Sequence, residues 1–208
     1  FYRNVNEGNE GWAGGGAIFL EKVTEANFTN CVFRENMVMN GRQGGAVFAY
    51  GGESEGHSAI HTFDHCTFIR NGIDIGNINQ EEWASGGALH INGGAIIQNS
   101  LIDSSYIRHN MASGEKVSAS GGAVTIHYGG NTQDLSDWNN VPYSIFSSNI
   151  VSNTRVEVSG SVDGGSLNTR TKIKIENNLI INNSVNSGAS VSGDYRGGIN
   201  LKQHSNPF

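Results

Sequence analysis

Six near-copies of one short motif constrain the fold more than any other feature of the chain. The clearest is Gly44-Gly45-Ala46-Val47-Phe48-Ala49, and close copies begin at Gly15, Gly86 and Gly121. Two divergent copies follow, Gly164-Gly165-Ser166-Leu167 and Arg196-Gly197-Gly198-Ile199. A motif that returns roughly every 30 to 43 residues marks an array of similar units rather than one irregular core. Between the copies runs a second pattern, apolar-x-x-small-x-apolar-x-x-Asn. It reads Phe28, Cys31, Phe33, Asn36; Phe63, Cys66, Phe68, Asn71; Ile102, Ser105, Ile107, Asn110; Ile145, Ser148, Ile150, Asn153; and Ile175, Asn178, Ile180, Asn183. The two patterns alternate strictly.

Apolar residues two apart (Ile18/Leu20, Leu89/Ile91, Val124/Ile126) give the period of a strand, and no window sustains a helical stripe. The reading is an all-β, right-handed parallel β-helix of about six coils, with one strand from each pattern in every coil. Equivalent residues then stack in columns at the strand spacing of ~4.8 Å. One column is small (Ala17, Ala46, Ala88, Ala123, Ser166, Gly198) and the next apolar (Ile18, Val47, Leu89, Val124, Leu167, Ile199). A third is a ladder of Asn36, Asn71, Asn110, Asn153 and Asn183, which serves corners because stacked amides bond one another and Asn tolerates a left-handed backbone. Residues 37–43, 50–62, 72–85, 92–101, 111–120, 127–144, 154–163 and 184–195 vary in length and read as loops. The whole, 1–208, is one domain, with repeats over about 13–201 and ragged ends, 1–12 and 202–208, lacking a recognisable cap. Phe1 in place of Met and the missing leader are read as a segment of something longer.

The alternation of Gly-Gly-Ala-[Ile/Leu/Val] with Phe-x-x-Asn resembles the repeats of chlamydial polymorphic membrane proteins and similar surface proteins. Gly15–Ile18, Gly44–Val47, Gly86–Leu89, Gly93–Ile96 and Gly121–Val124 match the first motif, although Gly93–Ile96 is out of frame. Phe33–Asn36 and Phe68–Asn71 match the second. The resemblance implies surface display, adhesion and the passenger of an autotransporter, hence an extracellular or cell-surface location.

Composition narrows the partners. Charged residues are 15% and the formal charge is −6, so there is no basic footprint for nucleic acid. No apolar run approaches the ~18 residues of a membrane span. Expected partners are copies of the chain or neighbouring segments stacked end to end, or a host-surface or glycan receptor. No cofactor or metal is expected. Cys31 and Cys66 share a slot one coil apart, which suits stacked free thiols or a disulfide. His57, His61 and His65 beside Asp64 are better read as solvated positions than as a ligand set, because a strand does not converge residues four apart.

Phe19, Phe48 and His90, with Thr125, point away from the Ile18/Leu20 side and are expected to form an outward column for a ligand or partner. Asp137 and Trp138, in the longest insertion, are the other candidates. Asp64 and Asp103 are read as one outward column with Glu176 two coils on; paired carboxylates are what glycoside cleavage needs, so a polysaccharide lyase or hydrolase is the alternative. Arg70 beside Glu35 reads as a surface ion pair. Asn27 and Asn182 begin Asn-x-Ser/Thr sequences, candidate glycosylation sites. Thr is too scattered for an ice-binding array. The reading is a non-enzymatic structural or adhesive solenoid.

Overall fold

The computed structural model describes residues 1–8, 13–50, 59–76, 82–109, 116–127, 143–187 and 198–201. These residues are all-β, without helix, and every sheet is parallel, an arrangement consistent with a β-helix or solenoid. Each pass of the chain, a rung, visits the same sheets in the same order. The Gly-Gly sheet contains Ile18–Glu21, Val47–Tyr50, Leu89–Asn92, Val124–His127, Leu167–Arg170 and Ile199–Leu201. After it come a sheet built on Glu25–Thr29 and Ile60–Asp64, then three-residue strands such as Val32–Arg34 and Thr67–Ile69. A fourth sheet holds Met37–Met39 and Gly72–Ile75, and a short fifth holds Glu82–Ser85, Val117–Ser120 and Val162–Asp163.

A rung therefore carries four or five strands rather than two. Met37–Met39, Gly72–Ile75, Glu82–Ser85, Val117–Ser120, Arg155–Val158 and Ser184–Ser187 lie in segments expected to be loops. Strands this short hold too few alternations to announce themselves; the backbone of the neighbouring rung recruits them. Residues 1–8 likewise extend the stack, with Val5–Glu7 paired to Met37–Met39.

The two glycines of each motif have different duties. The first takes a positive φ, +58° at Gly44 and +67° at Gly86, which an L side chain resists. The second lets rungs touch: a Cβ on Gly45 would sit 2.0 Å from the Gly87 carbonyl oxygen. Gly93–Ile96, out of frame in sequence, belongs to a different sheet, where Gly94 pairs with Ile60. The small and apolar columns run in register as expected, for example Leu89 with Val47 and Val124.

Inside, Phe33 stacks on Phe68 at 4.6 Å and Phe28 on Phe63 at 4.9 Å; later rungs put Ile102 and Val151 in the first column and Ile97, Phe146 and Ile175 in the second. Two left-handed corners five residues apart bracket each three-residue strand. Glu35, Arg70, Ser104, Asn153 and Asn182 form one, and Asn30, His65, Asn99, Ser148 and Asn177 the other, all with φ of 52–55°.

The residue after each corner bonds to the next rung. Asn36 N and Nδ2 donate to Asn71 Oδ1 at 3.0 and 2.9 Å, and Asn71 Nδ2 donates to the Phe33 carbonyl at 2.9 Å. The column continues through Ser105 and Thr154 to Asn183, which accepts from Thr154 N. Asn153 is thus not a ladder residue: it occupies the exposed left-handed corner beside Thr154. Asn110 lies outside the described residues, and Ser105 holds the place assigned to it. A second ladder, unforeseen, rises at the other corner: Cys66 N donates to Ser100 Oγ, Ser100 N to Asn149 Oδ1, and Asn149 N to Asn178 Oδ1.

Candidate functional site

The Gly-Gly turn folds the end of one strand back against the start of the next, and residues five apart face each other across it. Gln43, Ser85 and Ser120 line one wall; His90, Thr125 and Asn168 line the other, in register from rung to rung. The result is a groove along the stacking axis with a volume of about 320 Å³. Trp83 stands on one rim, 40% exposed. Tyr50, Asn92, His127 and Arg170 form the other rim on four consecutive rungs.

The groove corrects the expectation of an exposed aromatic column. Phe19, on the first rung, is half exposed and stacks on Phe48 at 5.2 Å. Phe48 is 2% exposed and His90 5%, because the short fifth sheet covers what the strand alternation turns outward. His90 floors the groove, and Phe48 packs edge-on against it at 5.2 Å rather than presenting a platform. Asp137 and Trp138 lie outside the described residues, as do Trp12 and His57. In the sequence, the insertion that carries Asp137 and Trp138 follows directly on His127, and residues 51–58 follow directly on Tyr50.

Hydrogen bonds fix the floor. Ser85 Oγ contacts His90 Nδ1, and His90 Nε2 lies 3.0 Å from Asn92 Oδ1. Thr125 Oγ1 donates to the Ser120 carbonyl at 2.9 Å, and Asn168 Nδ2 to Ser120 Oγ at 2.5 Å. Burial pushes His90 down to about 4; the Asn92 and Ser85 bonds oppose this and the neighbouring His127 assists it. His90 is therefore neutral at pH 7, with Nε2–H donating to Asn92 and Nδ1 accepting from Ser85.

Ser85, His90 and Asn92 outline a relay, but two things a nucleophile needs are missing. Ser85 is 2% exposed. The backbone N–H groups of Ser85, Gly86 and Gly87 already donate to Arg42, Ser120 and Gly121, so none is spare to receive an oxyanion.

The carboxylates expected to pair do not share a column. Asp64 aligns with Gln98, Ser147 and Glu176, three rungs further on, whereas Asp103 aligns with Ile69 and Ser152. Asp64 is held below the usual carboxylate range chiefly by the Asn99 amide. Burial would raise Asp103, but the Ser152, Asn153 and Ser104 bonds together with Arg70 leave it lowered. Both are acceptors at corners. Arg3, Glu35 and Arg70 form an axial charge ladder, with Arg70 3.7 Å from Glu35 as the columns predict.

His61 points into the core, 1% exposed, while His65 turns outward to Asp64 at 2.9 Å, so strand alternation separates that cluster. No group of three metal-ligating side chains occurs among the described residues. Cys31 and Cys66 are free thiols, and burial pushes Cys66 up. Asn27 and Asn182 are both exposed. A second hollow of about 290 Å³ contains Arg108 and Arg155, but these are tied to Asp74 and Glu157.

The fold and groove define a class: an all-β stack of parallel sheets with a polar, aromatic-rimmed axial groove. Comparison with known proteins gives nothing closer, since no protein family, no curated protein and no solved structure matches the chain.

Proposed function

We propose that this chain is a non-enzymatic β-helix, right-handed and displayed outside the cell, that binds a partner through the axial groove in the manner of an adhesin. The hand follows the strong preference of parallel strand–crossover–strand connections. The observation that carries the reading is the lining of the groove: aromatic, imidazole, hydroxyl and amide side chains with one guanidinium, Arg170, beside the Asp163 carboxylate at 3.7 Å where that wall continues. Such a lining offers stacking and hydrogen bonds to a ligand, whereas glycoside cleavage employs a facing pair of carboxyl groups. The hydrogen-bonded floor is preorganised, which lowers the cost of binding.

The test is saturable binding of purified protein to immobilised glycans, matrix proteins and intact cells. Trp83→Ala and Asn92→Ala are expected to weaken binding several-fold without changing the fold. Turnover of any polysaccharide, abolished by Asp64→Ala or Asp103→Ala, would replace this reading with the enzyme.

A second reading, a fibre or coat unit, is favoured by the edges of the described stack. Phe1, Tyr2, Val5, Phe19 and Val32 on the first rungs, and Leu179, Ile181, Ile199 and Leu201 on the last, are exposed apolar residues. Apolar edges invite another rung, from a neighbouring segment or a second copy. Electron microscopy of concentrated protein decides: filaments support the polymer, and discrete short particles remove it.

A further inference from the structure

The lining also selects among ligands, an inference that rests on the binding reading above. Tyr50, Asn92, His127 and Arg170 occupy successive rungs, a span of ~14 Å at the strand spacing, so the ligand is an oligomer lying along the axis. Trp83 and Tyr50 offer ring faces, and Asn92, Asn168, Ser120 and Thr125 offer amides and hydroxyls. Rings that expose C–H faces and hydroxyl edges suit that mixture, which is the chemistry of a sugar.

Two buried polar atoms in the lining lack hydrogen-bond partners: Gln43 Oε1 towards the first rungs and Arg170 Nε towards the last. Native proteins rarely leave such atoms unpaired, so a ligand donor at one end and an acceptor at the other would complete the site. Arg170 reaches Asp163 only at 3.7 Å, which leaves its planar fork able to take a second carboxylate. The formal charge of −6 opposes a densely sulfated polyanion, so the ligand's charge is sparse.

We infer that the groove binds a short oligosaccharide bearing a single carboxylate, of the uronate or sialate type, with its rings against Trp83 and Tyr50 and its carboxylate on Arg170.

The experiment is a glycan array carrying neutral sugars, uronates and sialosides, followed by calorimetric titration of the best acidic binder and its methyl ester. Wild type is expected to prefer the acid about tenfold or more, the scale of a charge-assisted bond. Arg170→Gln should cost the acid about tenfold or more and the ester only a few-fold, so that the preference collapses; Trp83→Ala should weaken both about equally. Retained ester binding and an unaltered circular dichroism spectrum show that the Gln variant is folded. If wild type binds ester and acid alike, or Arg170→Gln changes neither, the acidic ligand is wrong while the binding reading stands. If glycans fail but a protein or cell surface binds saturably, the sugar is wrong and the binding reading again stands. If nothing binds, both fall.

Discussion

Asn71 and Asn153 show how much the place of one residue decides. Asn71 is fully buried and joins two rungs by three hydrogen bonds, so Asn71→Ala strands the Asn36 N–H and the Phe33 carbonyl. Denaturant unfolding should register a loss of about 2–4 kcal/mol, the cost of buried groups left unpaired. Asn153 is exposed at φ 53°, a conformation glycine adopts freely, so Asn153→Gly should stay within about 1 kcal/mol. Equal losses would refute the assignment of the ladder. His90 carries a pH signature. Its native value of about 4 lies below the ~6.5 of an unfolded histidine, so its contribution is whole above pH 6.5 and is lost as pH falls towards 4. The difference amounts to about 3 kcal/mol. His90→Thr, which copies Thr125 one rung on, should flatten the acid limb of stability between those values. His61, also lowered by burial, supplies part of the slope that remains.

At the level of the element, the Gly-Gly turn both stacks the rungs and opens the groove. Gly45→Ala drives a Cβ into the Gly87 carbonyl and into the Gly72 backbone at 2.6 Å, neither of which can yield. A loss above about 2 kcal/mol is expected in thermal or denaturant unfolding, with Gly-Gly strands displaced. Gly198 stands one place further on, in the small column of Ala46 and Ser166, where an added Cβ would meet nothing within 4 Å. Gly198→Ala should therefore fall within about 0.5 kcal/mol. A loss at Gly45 no larger than at Gly198 would contradict the rung contact. The corner–strand–corner element has a different lesson. Its two corners lie five residues apart, so the apolar-x-x-small-x-apolar pattern overlaps itself. In the third copy it fits Ile102, Ser105, Ile107 as well as the true Ile97, Ser100, Ile102. In the fourth, a slip of one residue selects Ile145 and Ile150 in place of Phe146 and Val151. Ile150 is 43% exposed and Val151 fully buried, the face reversal that a one-residue register error causes.

For the whole molecule, each rung contacts mainly its neighbours, so stability is distributed along one axis. Fully buried side chains gather in the middle rungs, from Phe33 and Val47 to Val156 and Leu167, whereas the outer strands Val5–Glu7 and Ile199–Leu201 are largely exposed. Hydrogen exchange should be slowest in Leu89–Asn92, Ile97, Ile102 and Val124–His127 and fastest at the two edges. Uniform protection along the axis would contradict nearest-neighbour stacking. The sequence alone determined the repeat, the all-β class, the parallel columns of Ala46 and Val47 and the axial Glu35–Arg70 pair, because each is a local pattern multiplied by a fixed strand spacing. Only the tertiary structure decided the rest. It recruited the fifth sheet by backbone pairing, with no side-chain pattern to announce it, and that sheet buried Phe48 and His90 and converted an outward column into a groove floor. Ser85 and His90 face each other because glycine lets the chain reverse between them. Arg170, Trp83 and Gln43 meet in one groove because three separate rungs stack in register, a coincidence in space that no single stretch of the chain contains.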